Sequence, residues 1–402
     1  MAAVALMCLV AFSAIVVDYG VLWAARGQAQ SSADAGALAG AQAIGAGETN
    51  AVSRSTASVV ARQSPVWGEA TAAGDVVVSN LPYPCPASAG GGNSCIRVDV
   101  MRGTLDDANV QHTNTLPVFF ATMLGVTDQG VRATATAQAA QGNSINCIKP
   151  WAVADKWIDT SGPTSWDQED IWQPAAGDVY RAPLKPETNP TGFSLANDRG
   201  IQLALKAGNV GTWSAGWTQE IDFPGHTGSD EYEEAIRSCP SWIPTVGLWA
   251  GQPCNNTGDA DPARGCLSSK TGMSQGPTSA GVDGLIDLDS GAYWDDFNDR
   301  VVSTQARSKR IVPIVLFHTS DYVASGCSGT GCMVKVVNIM GFFVEGMCDD
   351  VAAQGRLDPD TYCDTPNKTV VGRLVSQASQ FKGGSGESSP GASFLQIYRL
   401  VR

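Results

Sequence analysis

Histidine is nearly missing from this chain of 402 residues: only His112, His226 and His318 occur, far apart. No Cys-x-x-Cys pair exists and no histidine neighbours a cysteine, so the short ligand spacings of a zinc site are absent. Charge is also scarce, at 16% of residues with a formal net of −13 and no polybasic run. Proteins that grip nucleic acid neutralise its phosphates with Lys and Arg, so a nucleic-acid partner is excluded. The Gly-x-Ser-x-Gly elbow of many hydrolases is missing as well, because "GCSGTG" places Thr330 two residues after Ser328.

Small and turn-forming residues are abundant instead. Gly at 44 and Pro at 21 predict many turns and short strands. Apolar residues make up 43% of the chain, enough for real cores in two or three domains. Of eleven cysteines, Cys8 sits in an apolar run. The other ten are Cys85, Cys95, Cys147, Cys239, Cys254, Cys266, Cys327, Cys332, Cys348 and Cys363. An even set without metal spacing reads as five disulfides formed in an oxidising compartment. Cys85 and Cys95 flank a Gly-rich turn, so a bond closing that hairpin is the simplest pairing. Neighbour pairing suggests Cys254–Cys266, Cys327–Cys332 and Cys348–Cys363, leaving Cys147 with Cys239, although spacing alone does not fix connectivity.

Residues 2 to 17 carry no charge and are apolar apart from Ser13, and Asp18 is the first charge. Sixteen helical residues rise about 24 Å, short of a hydrocarbon core of about 30 Å. Continuing to Ala25 gives about 36 Å, with the Asp18 carboxylate near the outer side. No basic residue precedes the run, as a signal peptide or an oriented anchor would normally have. A start assigned too far downstream accounts for that gap, and the expectation is an uncleaved single-pass anchor. Asp18 then marks the water boundary or is an intramembrane carboxylate that needs a partner.

Beyond it, "ARGQAQSSADAGALAGAQA" offers almost nothing but Ala, Gly, Ser and Gln. Gly20, Gly27, Gly36 and Gly40 recur at helical spacing, with Ala29, Ala33, Ala37 and Ala41 between them. Each glycine costs about 1 kcal/mol against alanine inside a helix. Close approach of another helix backbone is the physical reason to keep them. The residues expected to line that contact are Asp18, Gly20, Ala33, Asp34, Gly36, Ala37, Gly40 and Ala41.

These residues carry a resemblance. "VVDYGVLWAARGQAQSSADAGALAGAQ" resembles the N-terminal signature of TadE/TadG-like proteins of Flp (Tad) pilus assembly, and Ala33 to Ala41 stand in its Ala-Asp-Ala-x-Ala-Leu-Ala-Gly-Ala motif. "LPVFFATMLGVTDQGVRATATAQAA" resembles the element that closes the family's first domain, so the likeness covers residues 1 to about 142. The remainder is similar to long TadG-like proteins more loosely. Its "DTSGP" and "DSGAY" do not match the Asp-x-Ser-x-Ser metal motif of the von Willebrand A domains found in some of them. The resemblance implies a non-enzymatic protein of the bacterial cell membrane, its C-terminal part periplasmic or at the cell surface. It implies other pilin-like or TadE/TadG-like proteins and the pilus secretion platform as partners, and no cofactor.

The organisation expected is α+β. Residues 1–47 form a transmembrane and Ala/Gly-rich helix. Residues 48–142 form a pilin-like unit with a second helix at 48–63, a disulfide-closed hairpin, a helix at 116–124 and a strand at 131–137. Residues 143–402 form a large disulfide-linked β-rich domain, a sandwich or irregular barrel, with "DEYEEAIRSC" its main helix. Strands are expected at "GDVYRA", "GFSLA", "IVPIVLFH", "CMVKVVNIMGFFVEGM" and "ASFLQIYRLVR". Asp259, Asp261, Asp287 and Asp289 sit in oxygen-rich loops, but without an EF-hand pattern they read as turn formers before calcium ligands. His318 ends a β run near Asp321, and Glu231, Glu233 and Glu234 share one helical stretch read as a solvated face. None of these makes a catalytic set. The rival reading is a membrane-anchored adhesin that binds carbohydrate, or a hydrolase, using residues 143–402; its nine tryptophans supply the sugar-binding argument, and burial in a β core is their commoner fate.

Overall fold

The computed structural model describes residues 2–46, 48–87, 94–103, 114–141, 145–160, 166–167, 170–183, 189–207, 216–223, 228–240, 254, 265–270, 274–305, 307–324, 332–358, 363, 369–375, 377–378 and 395–401. They divide into two compact units, Met1–Ala140 with Tyr398–Arg402, and Gln141–Ile397.

In the first unit, helix α1 (Ala2–Gly45) runs for 44 residues, about 66 Å. Val21, Ala25, Ala29, Ala33, Ala37 and Ala41 recur every fourth residue along it and are all buried. This ridge receives α2 (Asn50–Ala61), which Thr49 caps by accepting the N–H of Val52 and which buries Ser53, Ala57 and Ala61. Small side chains on both helices set the separation, since interaxial distance follows the residues at the contact. Strands β1 (Val76–Val78), β2 (Cys95–Arg102) and β3 (Val131–Gln141) pair antiparallel, with β2 in the middle, and the last residues of β14 (Leu395–Val401) extend the sheet beyond β3. Alternation sorts the two faces. Ile96, Val98, Val100, Ala133, Ala135 and Ala137 join the helical alanines in one core. On the other face Asp99 takes ion pairs from Arg97 and Arg132. Cys85 and Cys95 are bonded.

In the second unit, β4 (Trp151–Ala154), β5 (Gln202–Ala207), β6 (Trp217–Asp222), β7 (Cys266–Lys270), β10 (Ile311–Phe317), β11 (Cys332–Met347) and β12 (Val370–Val375) form one sheet ordered β10-β4-β6-β5-β12-β11-β7. Pairing of β10 with β11 closes six of these strands into a ring, and β7 bridges β6 and β11. All sixteen residues of β11 are buried, which explains its nearly continuous apolar sequence. Its polar residues are Lys335, Asn338 and Glu345, and the Glu345 carboxylate pairs with Arg356 at 2.5 Å and Arg373 at 3.3 Å. Around the ring lie α3 (Leu195–Asp198), α4 (Ser229–Arg237), α5 (Gln275–Asp287), α6 (Thr319–Ala324) and α7 (Cys348–Ala353), with the hairpin β8 (Tyr293–Asp295) and β9 (Arg300–Val302). A short β13 (Gln377–Ala378) pairs in parallel with the start of β14. Cys147–Cys239, Cys254–Cys266 and Cys348–Cys363 are bonded. Cys332 is also disulfide-bonded, and Cys327 lies outside the described residues.

The mixed α+β class with a long first helix and a β-rich, disulfide-linked remainder agrees with the sequence reading. Several elements differ. Among the described residues no helix is long and apolar enough to cross a membrane. The side chains of residues 1–11 and 13–15, most of the expected apolar span, lie outside the description. Residues 116–124 hold only a 3-10 turn at Ala121–Leu124. "GDVYRA" makes a single bridge, Val179 to Ile158, and "GFSLA" leads into α3, because hydrogen bonds there go to loops and not to a ladder. Residues 283–287, expected in a loop, complete α5.

Candidate assembly interface on the first helix

The side chains singled out on α1 fall into two groups. One is consumed inside the first unit. Asp18, only 6% exposed, accepts the backbone N–H groups of Phe119 (2.8 Å), Phe120 (3.0 Å) and Ala121 (2.6 Å). These are the orphan donors that open the Ala121–Leu124 turn, and a carboxylate satisfies three of them at once. The partner that Asp18 needs is therefore in its own chain. Ala33, Ala37 and Ala41 are fully buried in the unit's core. A Cβ on Gly36 would lie 2.7 Å from the Ala61 Cβ and 2.8 Å from the Ala57 carbonyl oxygen. One on Gly40 would lie 2.6 Å from the Ile96 Cδ1 and 2.8 Å from the Ala57 Cβ. The small-residue face does receive a helix, but that helix is α2. Half-buried Asp34 accepts from the Gln30 amide at 2.8 Å, and the same amide reaches the Thr134 carbonyl.

The second group is open. Nothing lies within 4 Å of a Cβ built on Gly20 or Gly27. Phe12 and Trp23, each 72% exposed, and Val16 and Tyr19 share that face at spacings of three and four residues. Sequence reasoning treated all the glycines alike. The bulky neighbours Phe12, Val16, Tyr19 and Trp23 are the signal that separates the outward glycines from the inward ones.

In the second unit His318, Glu231, Glu233, Glu234 and Asp289 meet partners within the unit. His318 meets Ser320 through Nδ1 at 3.2 Å and the Tyr180 ring edge-on. Glu231 caps the Gly228 N–H, and Glu233 and Glu234 pair with Arg237 on the surface. Asp289 accepts from Ser303 at 2.8 Å, Asp287 closes α5, and Asp259 and Asp261 lie outside the described residues. Among the described residues no group of three or more His, Cys, Asp or Glu gathers that could hold a metal. Trp151, Trp157, Trp172, Trp217 and Trp294 are buried, while Trp213, Trp242 and Trp249 lie outside the description.

Sequence reasoning missed Asp155, a fully buried carboxyl just after β4. It accepts from the Phe193 and Lys156 N–H groups and from the Tyr180 hydroxyl, all at 2.9 Å. Burial outweighs these donors and pushes its pKa up to about 7 from 3.8. The unfolded chain has lost this proton well before pH 7 while the folded chain still holds it. The Asp155 contribution to stability is thus complete below about pH 4 and disappears as pH rises towards 7. Asp155→Asn is expected to flatten that fall; denaturant midpoints of the second unit measured from pH 4 to 8 check it.

Residues 1–43 match a family model described as putative Flp pilus-assembly TadE/G-like. No curated protein and no solved structure matches the chain. The match covers the part of α1 that holds Asp18, the buried alanine ridge and the open glycines, and it associates this helix with Tad pilus assembly.

Proposed function

We propose that the protein is a membrane-anchored, non-enzymatic component of a Tad-type pilus assembly apparatus, and that it meets its partners through the open face of α1. The observation that carries this reading is the family match over residues 1–43, on the helix whose Tyr19, Gly20, Trp23 and Gly27 remain uncovered. The apolar run at residues 2–17, continued through Asp18 to Ala25, is the anchor, with Asp18 near its outer side, and residues 143–402 stand outside the cytoplasm, where disulfides persist. Glycines beside bulky aromatics let a second helix approach while the rings pack over it. The partners are helices of pilin-like or TadE/TadG-like proteins, or of the secretion platform.

Photo-crosslinking in living cells from residue 20 or residue 27 tests the proposal. Capture of pilin-like or platform proteins is the expected result, while capture of lipid alone from both positions reduces α1 to an anchor. A probe at residue 37 faces α2 and should capture no second chain.

A further inference from the structure

Three of the exposed large apolar residues of the first unit lie outside its helices and sheet, in one segment: Phe119, Phe120 and Val126, at 54%, 39% and 44% exposure. Such residues cost free energy in water unless something covers them. Their position along α1 is fixed, because Asp18 holds the N–H groups of Phe119, Phe120 and Ala121 within 3.0 Å of its carboxylate. Asp18 is also the residue at which the apolar run of α1 stops. Just below it on the helix are exposed Phe12, Val16 and Val17, and just above it exposed Tyr19 and Trp23. Aromatic residues gather at this level on membrane proteins because their rings prefer the boundary between headgroups and acyl chains.

We infer that the Phe119–Phe120 segment is a second membrane contact, seated in the lipid headgroup boundary beside α1 and held at that depth by Asp18. The occupant of this patch is the bilayer surface. What points to lipid is the continuity of the patch with the apolar run, at the level where that run ends. This inference rests on the anchor proposed above. It gives Asp18 a positioning role: its three hydrogen bonds tie a distant loop to one height on the helix. A two-point contact also fixes the tilt and rotation of α1, and so decides which way the open Gly20–Gly27 face points in the membrane plane.

The test uses the full chain in vesicles of phosphatidylethanolamine and phosphatidylglycerol, with a photoreactive phenylalanine analogue at residue 12, 119 or 59. Val59 is the control. It is exposed on α2, whose Ala57 and Ala61 pack at Gly36, about 27 Å along α1 from Asp18. Lipid adducts from residues 12 and 119 but not 59 are expected. Adducts from 12 without 119, or equal yields from 119 and 59, overturn the inference and leave the anchor standing. Adducts from neither 12 nor 119 remove the anchor and the inference together. In Asp18→Asn and Asp18→Ala the yield from residue 119 should fall several-fold while that from residue 12 holds. An unchanged yield in both variants, with the Cys85–Cys95 bond still formed, would show that Asp18 does not set the depth.

Discussion

Replacing Cys147 and Cys239 together by serine is expected to destabilise the second unit more than removal of any other described disulfide. Closing a chain loop removes entropy from the unfolded ensemble, and the effect grows slowly with loop length. A separation of 92 residues corresponds to about 4.5 kcal/mol, against about 3 kcal/mol for the links spanning 10, 12 and 15 residues. The site adds to this. Cys147 holds a positive φ of 61°, a conformation that costs a non-glycine residue of order 1 kcal/mol or more and needs its surroundings to maintain it. Its N–H donates to the Pro240 carbonyl at 3.1 Å, and the buried Lys149 amine donates to the carbonyls of Ala235 and Ser238. The start of β4 is thereby bound to the end of α4 by one covalent link and three hydrogen bonds. Without the link, hydrogen exchange should quicken at Tyr232, Ala235 and Ile236 first. A two-unit chain does not melt as one transition, so protease resistance of the second unit in rising urea is the measure. A smaller loss than in Cys254→Ser/Cys266→Ser would count against the loop-entropy account.

What the sequence made legible follows where local pattern and tertiary role coincide. The α1–α2–hairpin order could be read because a small-residue ridge and a cysteine-flanked turn are local signals. Strand β11 could be read because a strand buried on both sides is apolar along most of its length. Helix α5 was hidden by Gly276, Pro277, Gly281 and Gly284, which look like a loop. Its glycine at 281 instead admits Ile236 of α4, whose Cβ would lie 2.8 Å from a Cβ built there. Strands β6 and β7 were hidden by polarity. Their buried Thr218 and Ser269 donate to the carbonyls of Gly216 and Cys332, so these hydroxyls satisfy themselves without an apolar signature. Asp155 gave no signal, since only the fold surrounds it with Tyr180 and Phe193. The destination of the Ala/Gly ridge was illegible for a different reason: a surface shaped for close helix contact reads the same whether the partner is α2 or another chain.

That ambiguity becomes an experiment in the contrast between Gly40→Leu and Gly27→Leu, which separates folding from assembly. At Gly40 even a β-carbon meets Ile96 and Ala57 at 2.6 and 2.8 Å, and the rest of a leucine has nowhere to go. Overpacking of this kind typically costs about 1–3 kcal/mol and sometimes more, and here it presses α1 away from both α2 and β2. Gly40→Leu is expected to expose the first unit to protease and to lose piliation as a consequence of misfolding. At Gly27, which is exposed, a β-carbon meets nothing within 4 Å, and leucine gains helix propensity of about 1 kcal/mol. The unit should then be as stable as before or more so, and a loss of piliation reports a blocked external contact alone. Normal piliation with Gly27→Leu, in cells where Gly40→Leu abolishes it, would show that the glycines of α1 serve the fold and that the partner surface lies elsewhere. Loss of piliation in both, with only Gly40→Leu protease-sensitive, is the result that the open face of α1 requires.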